Sequence, residues 1–101
     1  MKKCCADFLI EQFGDQDVVK EIYEEYVKSI REKLIEADAA LGSEDWTALD
    51  RVAHAIKGNA LATGDNDVAN TAIELRFAAK LSDKAKSTAL VGKIREFEKE
   101  L

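Results

Sequence analysis

The longest periodic segment of the sequence is DQDVVKEIYEEYVKSIREKLIEADAAL, residues 15–41. Its apolar side chains recur at helical spacing, in steps of three or four residues, at Val19, Tyr23, Tyr26, Ile30, Leu34, Ala37 and Leu41. This spacing places them on one face of an α-helix, and most of the charged residues fall on the other face. Because a helix with one apolar face is stabilised mainly by packing, the segment predicts a bundle of helices.

Three later segments, residues 44–63, 66–81 and 83–101, show the same periodicity. Their apolar positions are Leu49, Ala53, Ile56 and Ala60, then Val68, Ala72, Leu75 and Ala79, then Leu90, Ile94, Phe97 and Leu101. A shorter segment, residues 4–13, is too short to stand alone and is expected to cover one end of the core. The sequence therefore predicts an all-α fold, an antiparallel up-and-down four-helix bundle with a short N-terminal helix covering one end.

Glycines followed by capping residues separate the predicted helices. Gly14, Gly42 and Gly64 each end an apolar run, and the next residue in each case is Asp or Ser. Glycine after a helix and Asp or Ser before the next one are the usual stop and start signals. A fourth break, without glycine, is expected at residues 82–83.

Composition limits the classes of function. The 101 residues suit one domain, residues 1–101, and the net charge of −5 argues against a nucleic-acid or anionic-membrane surface. No apolar stretch approaches the roughly 20 residues that span a bilayer, and the N-terminus is a poor secretory signal. We therefore expect a cytoplasmic protein. Adjacent Cys4 and Cys5 are expected to be free thiols, and neither a metal-ligand spacing nor a phosphate-binding glycine loop is present.

One segment departs from the bundle pattern: HAIKGNALATG, residues 54–64. It holds the only histidine of the chain, and it places Gly58 well inside a predicted helix. A glycine in the middle of a helix costs about 1 kcal/mol relative to alanine. The bundle alone gives no reason for that cost, so the segment is a candidate functional site.

A helical wheel places His54 away from the core stripe, on the solvent side. Lys57 and Gly58 lie one turn further on, to either side of it. Helical side chains lean toward the N-terminus, so Lys57 is expected to lie beside the imidazole, whereas Gly58 leaves it uncovered. A neutral imidazole is a nucleophile, and an ammonium group can pair with phosphoryl oxygens. The pattern favours phosphoryl transfer in which a partner supplies the remaining groups.

This segment resembles the H-x-x-K-G-x-x-x-x-x-G signature of histidine-containing phosphotransfer (HPt) domains. The resemblance extends to E-Q-F-G-D at residues 11–15, to G-S-E-D-W-T-A-L-D-R-V-A-H at residues 42–54 and to A-I-E-L-R-F-A-A-K at residues 72–80. It thus covers nearly the whole chain, and it implies a helical bundle with the histidine halfway along its second long helix.

The resemblance implies a phosphorelay intermediate of two-component signal transduction. His54 would accept and donate the phosphoryl group, Lys57 would stabilise it, Gly58 would give clearance for the partner, and Gly64 would end the helix. The implied partners are receiver domains of response regulators or hybrid histidine kinases. Magnesium would belong to the receiver only, so the chain is expected to need no cofactor. It is expected to be a phosphocarrier without autokinase activity, because 101 residues leave no room for an ATP-binding domain.

Three further residues, Asp50, Arg51 and Leu61, share the His54 face and are expected to contact the partner. The chain is expected to be a monomer. An alternative reading is a helical adaptor that docks a signalling protein without being phosphorylated. A third is a small hydrolase with His54 as base and Asp50 as the nearest acid, although no pocket is evident from the sequence.

Overall fold

The computed structural model describes all residues, 1–101, and contains five helices and no strand. The helices are α1 (Lys3–Phe13), α2 (Gln16–Ser43), α3 (Trp46–Thr63), α4 (Asn66–Lys80) and α5 (Lys84–Lys99). The four long helices form a ring in which α2 packs on α3, α3 on α4, α4 on α5 and α5 on α2, while α1 lies against α2 and α3. The predicted four-helix bundle with a short N-terminal helix is confirmed. No helix is both long enough and apolar enough to cross a membrane.

The core follows the predicted apolar stripes closely. All but three of the expected core residues are buried, and the exceptions, Leu41, Phe97 and Leu101, are partly buried at its edge. The rod measures 42 × 20 × 19 Å. In each long helix, exposed residues alternate with buried ones along the whole length, so every long helix keeps one face in solvent.

Aspartate side chains begin the four long helices. Asp15, Asp45, Asp65 and Asp83 each accept a hydrogen bond from a backbone N–H in the first turn of the following helix. Such a cap is typically worth about 1 kcal/mol, because it satisfies an N–H that has no partner within the helix. These caps fix where α3 and α4 begin, and hence which residues face each other across the bundle.

The end of α2 differs from the expectation. The helix does not stop at Gly42 but continues through Ser43, and the left-handed residue that ends it is Glu44, with φ of 51°. The Ser43 hydroxyl donates to the Ala39 carbonyl, and the Asp45 N–H closes the turn on the Ala40 carbonyl. Asp45, rather than Ser43, then caps α3, so the connection lies two residues later than glycine placement suggested.

A buried carboxylate joins the N-terminal segment to the α3–α4 connection. Asp65 is fully buried, and its two oxygens accept hydrogen bonds from the Tyr26 hydroxyl and from Lys2 Nζ, both at 2.7 Å. Burial and the Asp65 carboxylate both raise the pKa of Tyr26 well above its ordinary value. Burial opposes the charge of Lys2, but its bonds to Asp65 and Asp67 outweigh that effect and raise its pKa. The cluster of Lys2, Tyr26 and Asp65 is therefore held as an ion pair with a neutral phenol.

Candidate functional site

His54 lies in the middle of α3 with its side chain exposed to solvent. Its neighbours on either side of the helix, Ala53 and Ile56, are fully buried in the core. The backbone that carries the imidazole is therefore fixed by packing while the ring itself projects outward. This placement agrees with the wheel geometry of the sequence.

A guanidinium from the next helix contacts the imidazole. Arg76 Nη1 of α4 lies 3.1 Å from His54 Nδ1, and Arg76 Nε donates a hydrogen bond to Asp50 Oδ1 at 2.9 Å. Asp50 lies one turn before His54 on α3, so the guanidinium bridges two residues of that helix. We call this ion pair between α3 and α4 the Asp50–Arg76 pair. Both side chains are about one-quarter exposed, at 28% and 27%, which limits but does not abolish screening by solvent.

The contact defines the roles of the two ring nitrogens. A guanidinium has only donors, so Nδ1 must accept the hydrogen bond from Arg76. The neutral ring in this arrangement carries its proton on Nε2. Nε2 makes no hydrogen bond within the chain and faces solvent, so it is the nitrogen that a second molecule can reach.

Lys57 is partly exposed, one turn beyond His54 on the same helix. Its ammonium forms no ion pair with any carboxylate of the chain. The cation within hydrogen-bond distance of the imidazole is Arg76, which the sequence analysis had not named. Lys57 is thus a free cation beside the site, available to an incoming anion.

Arg76 was not among the residues singled out from the sequence, although a signal for it existed. The α3–α4 connection is short and centres on Asp65, so residues equally far before and after Asp65 lie opposite each other in the antiparallel pair. His54 and Arg76 are such a pair. The predicted helix ends, with the turn centred on Asp65, would therefore have been enough to place Arg76 opposite His54.

Gly58 is exposed, and internal packing does not require it. A Cβ built on Gly58 would meet no atom within 4 Å. Gly64 is different, because its φ is 77° and a Cβ there would lie 2.5 Å from the Cβ of Phe8. The glycine at position 64 is explained by the fold, whereas the one at position 58 leaves open space next to His54.

The residues expected to contact a partner occupy different settings. Arg51 is exposed and Leu61 is 50% exposed, whereas Asp50 is partly buried and already bound to Arg76. Two apolar side chains of α4, Ile73 and Phe77, are also exposed, the latter at 63%. Exposed apolar groups thus accompany charges on both α3 and α4, and the sequence interpretation had not included the apolar groups of α4.

The site has no concave pocket of its own. None of the larger grooves on the surface is lined by His54, and no group of three or more His, Cys, Asp and Glu side chains comes together anywhere in the chain. An enzyme that works on a small substrate usually encloses it in a cleft. His54 therefore stands on an open surface of the rod and not in a cleft.

Comparison with known families agrees with this arrangement. The family model described as "Hpt domain" matches residues 21–101, and the chain therefore belongs to the Hpt domain family. Domains of this family are phosphocarriers, not kinases: they take part in histidine phosphotransfer in two-component phosphorelays and interact with receiver domains. A search of curated proteins and a search of solved structures each gave no match.

Proposed function

We propose that this chain accepts a phosphoryl group from the aspartyl phosphate of a receiver domain onto Nε2 of His54 and passes it to another receiver. The observation that carries the proposal is the pair of ring environments: Nδ1 is covered by Arg76, and Nε2 is open to solvent. The open nitrogen lies on a convex surface, where the active site of a receiver can enclose it.

In the transfer step one bond to phosphorus forms and another breaks. The Nε2 lone pair attacks phosphorus, the P–Nε2 bond forms, and the P–O bond of the aspartyl phosphate breaks as the carboxylate leaves with the electron pair. During attack the ring proton must be on Nδ1, so the hydrogen bond from Arg76 opens at that moment. Release of that proton to solvent lets Arg76 return to Nδ1 on the phosphorylated ring.

Two neighbours have supporting roles in this proposal. Lys57, which has no carboxylate partner in the chain, pairs with the phosphoryl oxygens as charge develops on them. Gly58 allows the receiver backbone to approach the ring, which accounts for a helix-interior glycine that touches nothing within 4 Å. Both residues lie on α3, the helix that carries His54.

The partner supplies the rest of the chemistry. We propose that the magnesium ion and the reactive aspartate belong to the receiver, and that this chain needs no cofactor or metal of its own. We also propose that the chain acts as a monomer. Arg51 and Leu61 contribute contacts to the docking surface, and Asp50 acts through Arg76. The setting proposed is the cytoplasm, since the exposed thiol of Cys4 suits a reducing compartment.

Incubation with phosphorylated receivers tests the proposal. The chain is expected to take up the label, and the label is expected to survive base and to be lost in acid, as a phosphoramidate is. His54→Gln is expected to abolish uptake, whereas Thr88→Gln, at an exposed position on α5, is expected to leave it unchanged. Equal labelling of the His54→Gln protein would contradict the site assignment, and a parent chain that is never labelled would favour the adaptor reading.

A further inference from the structure

The contact between Arg76 and Nδ1 bears on what happens after phosphorylation. Under the proposed function, on which this inference rests, phosphorylated His54 carries phosphorus on Nε2. Nδ1 is then the remaining basic nitrogen of the ring. Arg76 Nη1 already lies 3.1 Å from Nδ1 in the unphosphorylated chain. Without a proton on Nδ1, the phosphorylated ring presents the same acceptor to the same donor.

Protonation of Nδ1 controls the hydrolysis of such a ring. When water attacks phosphorus, the P–N bond breaks and the electron pair returns to Nε2. If Nδ1 carries a proton, the leaving group is a neutral imidazole. If it does not, the leaving group is an imidazolate anion, which is a far poorer one. The lifetime of the phosphorylated ring therefore depends on how readily Nδ1 takes up a proton.

Arg76 opposes that protonation in two ways. Its N–H occupies the Nδ1 lone pair, and its positive charge repels a second positive charge on the ring. Asp50 accepts a hydrogen bond from Arg76 Nε at 2.9 Å, which favours the position in which Nη1 reaches Nδ1. The side chain that covers Nδ1 is thus anchored on the same helix that carries His54.

The other charged groups near the ring are arranged differently. On α3 itself, Arg51 and Lys57 lie about one turn from His54, and neither makes a hydrogen bond to it. On α4, Lys80 lies one turn beyond Arg76 and lines a groove with Asp50. These charged groups contribute to the electrostatic potential at the ring but do not contact Nδ1.

The remaining helices bring no charge into contact with the imidazole. On α2, Lys33 and Glu36 line a separate groove with Arg51. The Lys33 ammonium pairs with Glu36 at 2.9 Å. The first helix, α1, packs against the far end of α3, where Phe8 meets Gly64. Arg76 is therefore the one cation placed to act on Nδ1 by direct contact.

We propose that Arg76 is a positioning residue that prolongs the life of phosphorylated His54 by keeping Nδ1 unprotonated, with Asp50 as its anchor. The phosphoryl group is thereby retained while the chain is free. When a receiver docks and the Arg76 contact opens, Nδ1 can take up a proton, and the same P–N bond becomes easier to break in the direction of transfer.

The pH dependence of phosphohistidine decay tests this proposal. The parent chain, Arg76→Gln and Arg95→Gln are phosphorylated with phosphoramidate, a small phosphoryl donor, and release of inorganic phosphate is followed from pH 4 to pH 9. Arg95 is the matched control, because it is also an arginine paired with a carboxylate, Asp38, but on α5. Circular dichroism checks that each variant is folded.

Arg76→Gln is expected to decay about tenfold faster than the parent near pH 8, with its profile displaced to higher pH by about one unit, because glutamine removes the positive charge that opposes protonation of Nδ1. In acid, where the ring is protonated in every variant, the rates are expected to converge. Arg95→Gln is expected to follow the parent. Superimposed profiles for the parent and Arg76→Gln would overturn the proposal, and so would an acceleration of equal size at every pH, because that would indicate general loosening of the site.

The outcome is separable from that of the proposed function. Phosphoramidate labels an accessible imidazole without a receiver, so the decay measurement does not depend on a phosphorelay. Labelling by phosphoramidate but never by a phosphorylated receiver would contradict the proposed function alone. Labelling by both, with superimposed decay profiles, would contradict the role of Arg76 alone.

Discussion

Phe8 packs directly against the backbone of Gly64, so that a Cβ at position 64 would lie 2.5 Å from the Cβ of Phe8. This contact seats α1 on the end of α3, where the chain turns with a φ of 77° into α4. It belongs to the same end of the bundle as the buried Asp65.

Replacement of Gly64 by alanine is expected to destabilise the chain by more than 1 kcal/mol, because the side chain meets both a left-handed backbone and Phe8. Urea denaturation measures the loss. In the background of Phe8→Gly, which removes the Cβ as well as the ring, the steric part is removed, so the same substitution should cost less there. Equal costs in the two backgrounds would show that the contact with Phe8 is not the cause.

Gly58→Ala is expected to raise stability by about 0.5 to 1 kcal/mol, since the glycine is helical, exposed and free of neighbours. Gly92→Ala on α5 is the matched control, because a Cβ there also meets nothing within 4 Å. Both variants should be stabilised, but only Gly58→Ala should slow phosphoryl transfer from a receiver. Transfer at the parent rate in the Gly58→Ala protein would argue against clearance as the role of this glycine.

Lys57→Gln is expected to leave the unfolding free energy within about 0.5 kcal/mol of the parent, because the ammonium forms no ion pair in the chain. Transfer to His54 should nevertheless slow by about tenfold or more, as expected for loss of a charge that stabilises the phosphoryl group. Lys93→Gln, on α5, serves as the control. A variant that is destabilised but transfers normally would reverse this interpretation.

Tyr26→Phe is expected to cost about 1 to 3 kcal/mol, because it removes a donor from the fully buried Asp65 carboxylate. Tyr23→Phe is the comparison, since the Tyr23 hydroxyl donates to the Leu101 carbonyl in a less buried setting. Chemical denaturation of both proteins gives the two values. The interpretation fails if Tyr23→Phe proves the more damaging substitution.

The stability of the chain is expected to fall above about pH 9. Burial, with the Asp65 charge second, raises the pKa of Cys5 from 9.0 to about 12, and burial likewise raises the pKa values of Tyr23 and Tyr26 above 10.0. Between the ordinary and the raised values the unfolded chain loses protons that the folded chain retains, so rising pH favours unfolding. Below about pH 9 these groups contribute no pH dependence.

Unfolding free energies measured at pH 7, 9 and 10.5 test this sign, with Tyr26→Phe expected to show a shallower decline. Thiol labelling gives a second measurement. At pH 8 the exposed Cys4 should react readily and the buried Cys5 should not. A stability that stays level to pH 10.5 would contradict the raised values.

The sequence predicted the helices because periodicity and capping are local. The stripe that includes Tyr23, Ile30 and Leu34 is buried as expected, and Asp15 and Asp65 cap helices where they were placed. The end of α2 was wrongly predicted at Gly42, because a helix tolerates an internal glycine when packing and the next cap favour a later end. The end was set instead by Glu44 and the Asp45 cap.

The histidine and its exposure were predictable, but its immediate partner was not predicted. Lys57 was placed by its spacing on the same helix, which fixes the face but not the direction of a long flexible side chain. Arg76 lies on another helix, so its position depends on the register between α3 and α4. That register is set by the turn around Asp65, a contact between segments rather than a property of either one.

The hydroxyl of Tyr23 accepts a hydrogen bond from the backbone N–H of Lys2 and donates one to the carbonyl of Leu101. One phenol thus joins the second and the last residues of the chain, and its two ends lie close together. A short glycine-serine bridge could join these two ends, and new ends could be opened at the exposed turn near Glu44. Such a circularly permuted chain would keep all four long helices uncut, with the imidazole far along the rod from the bridge.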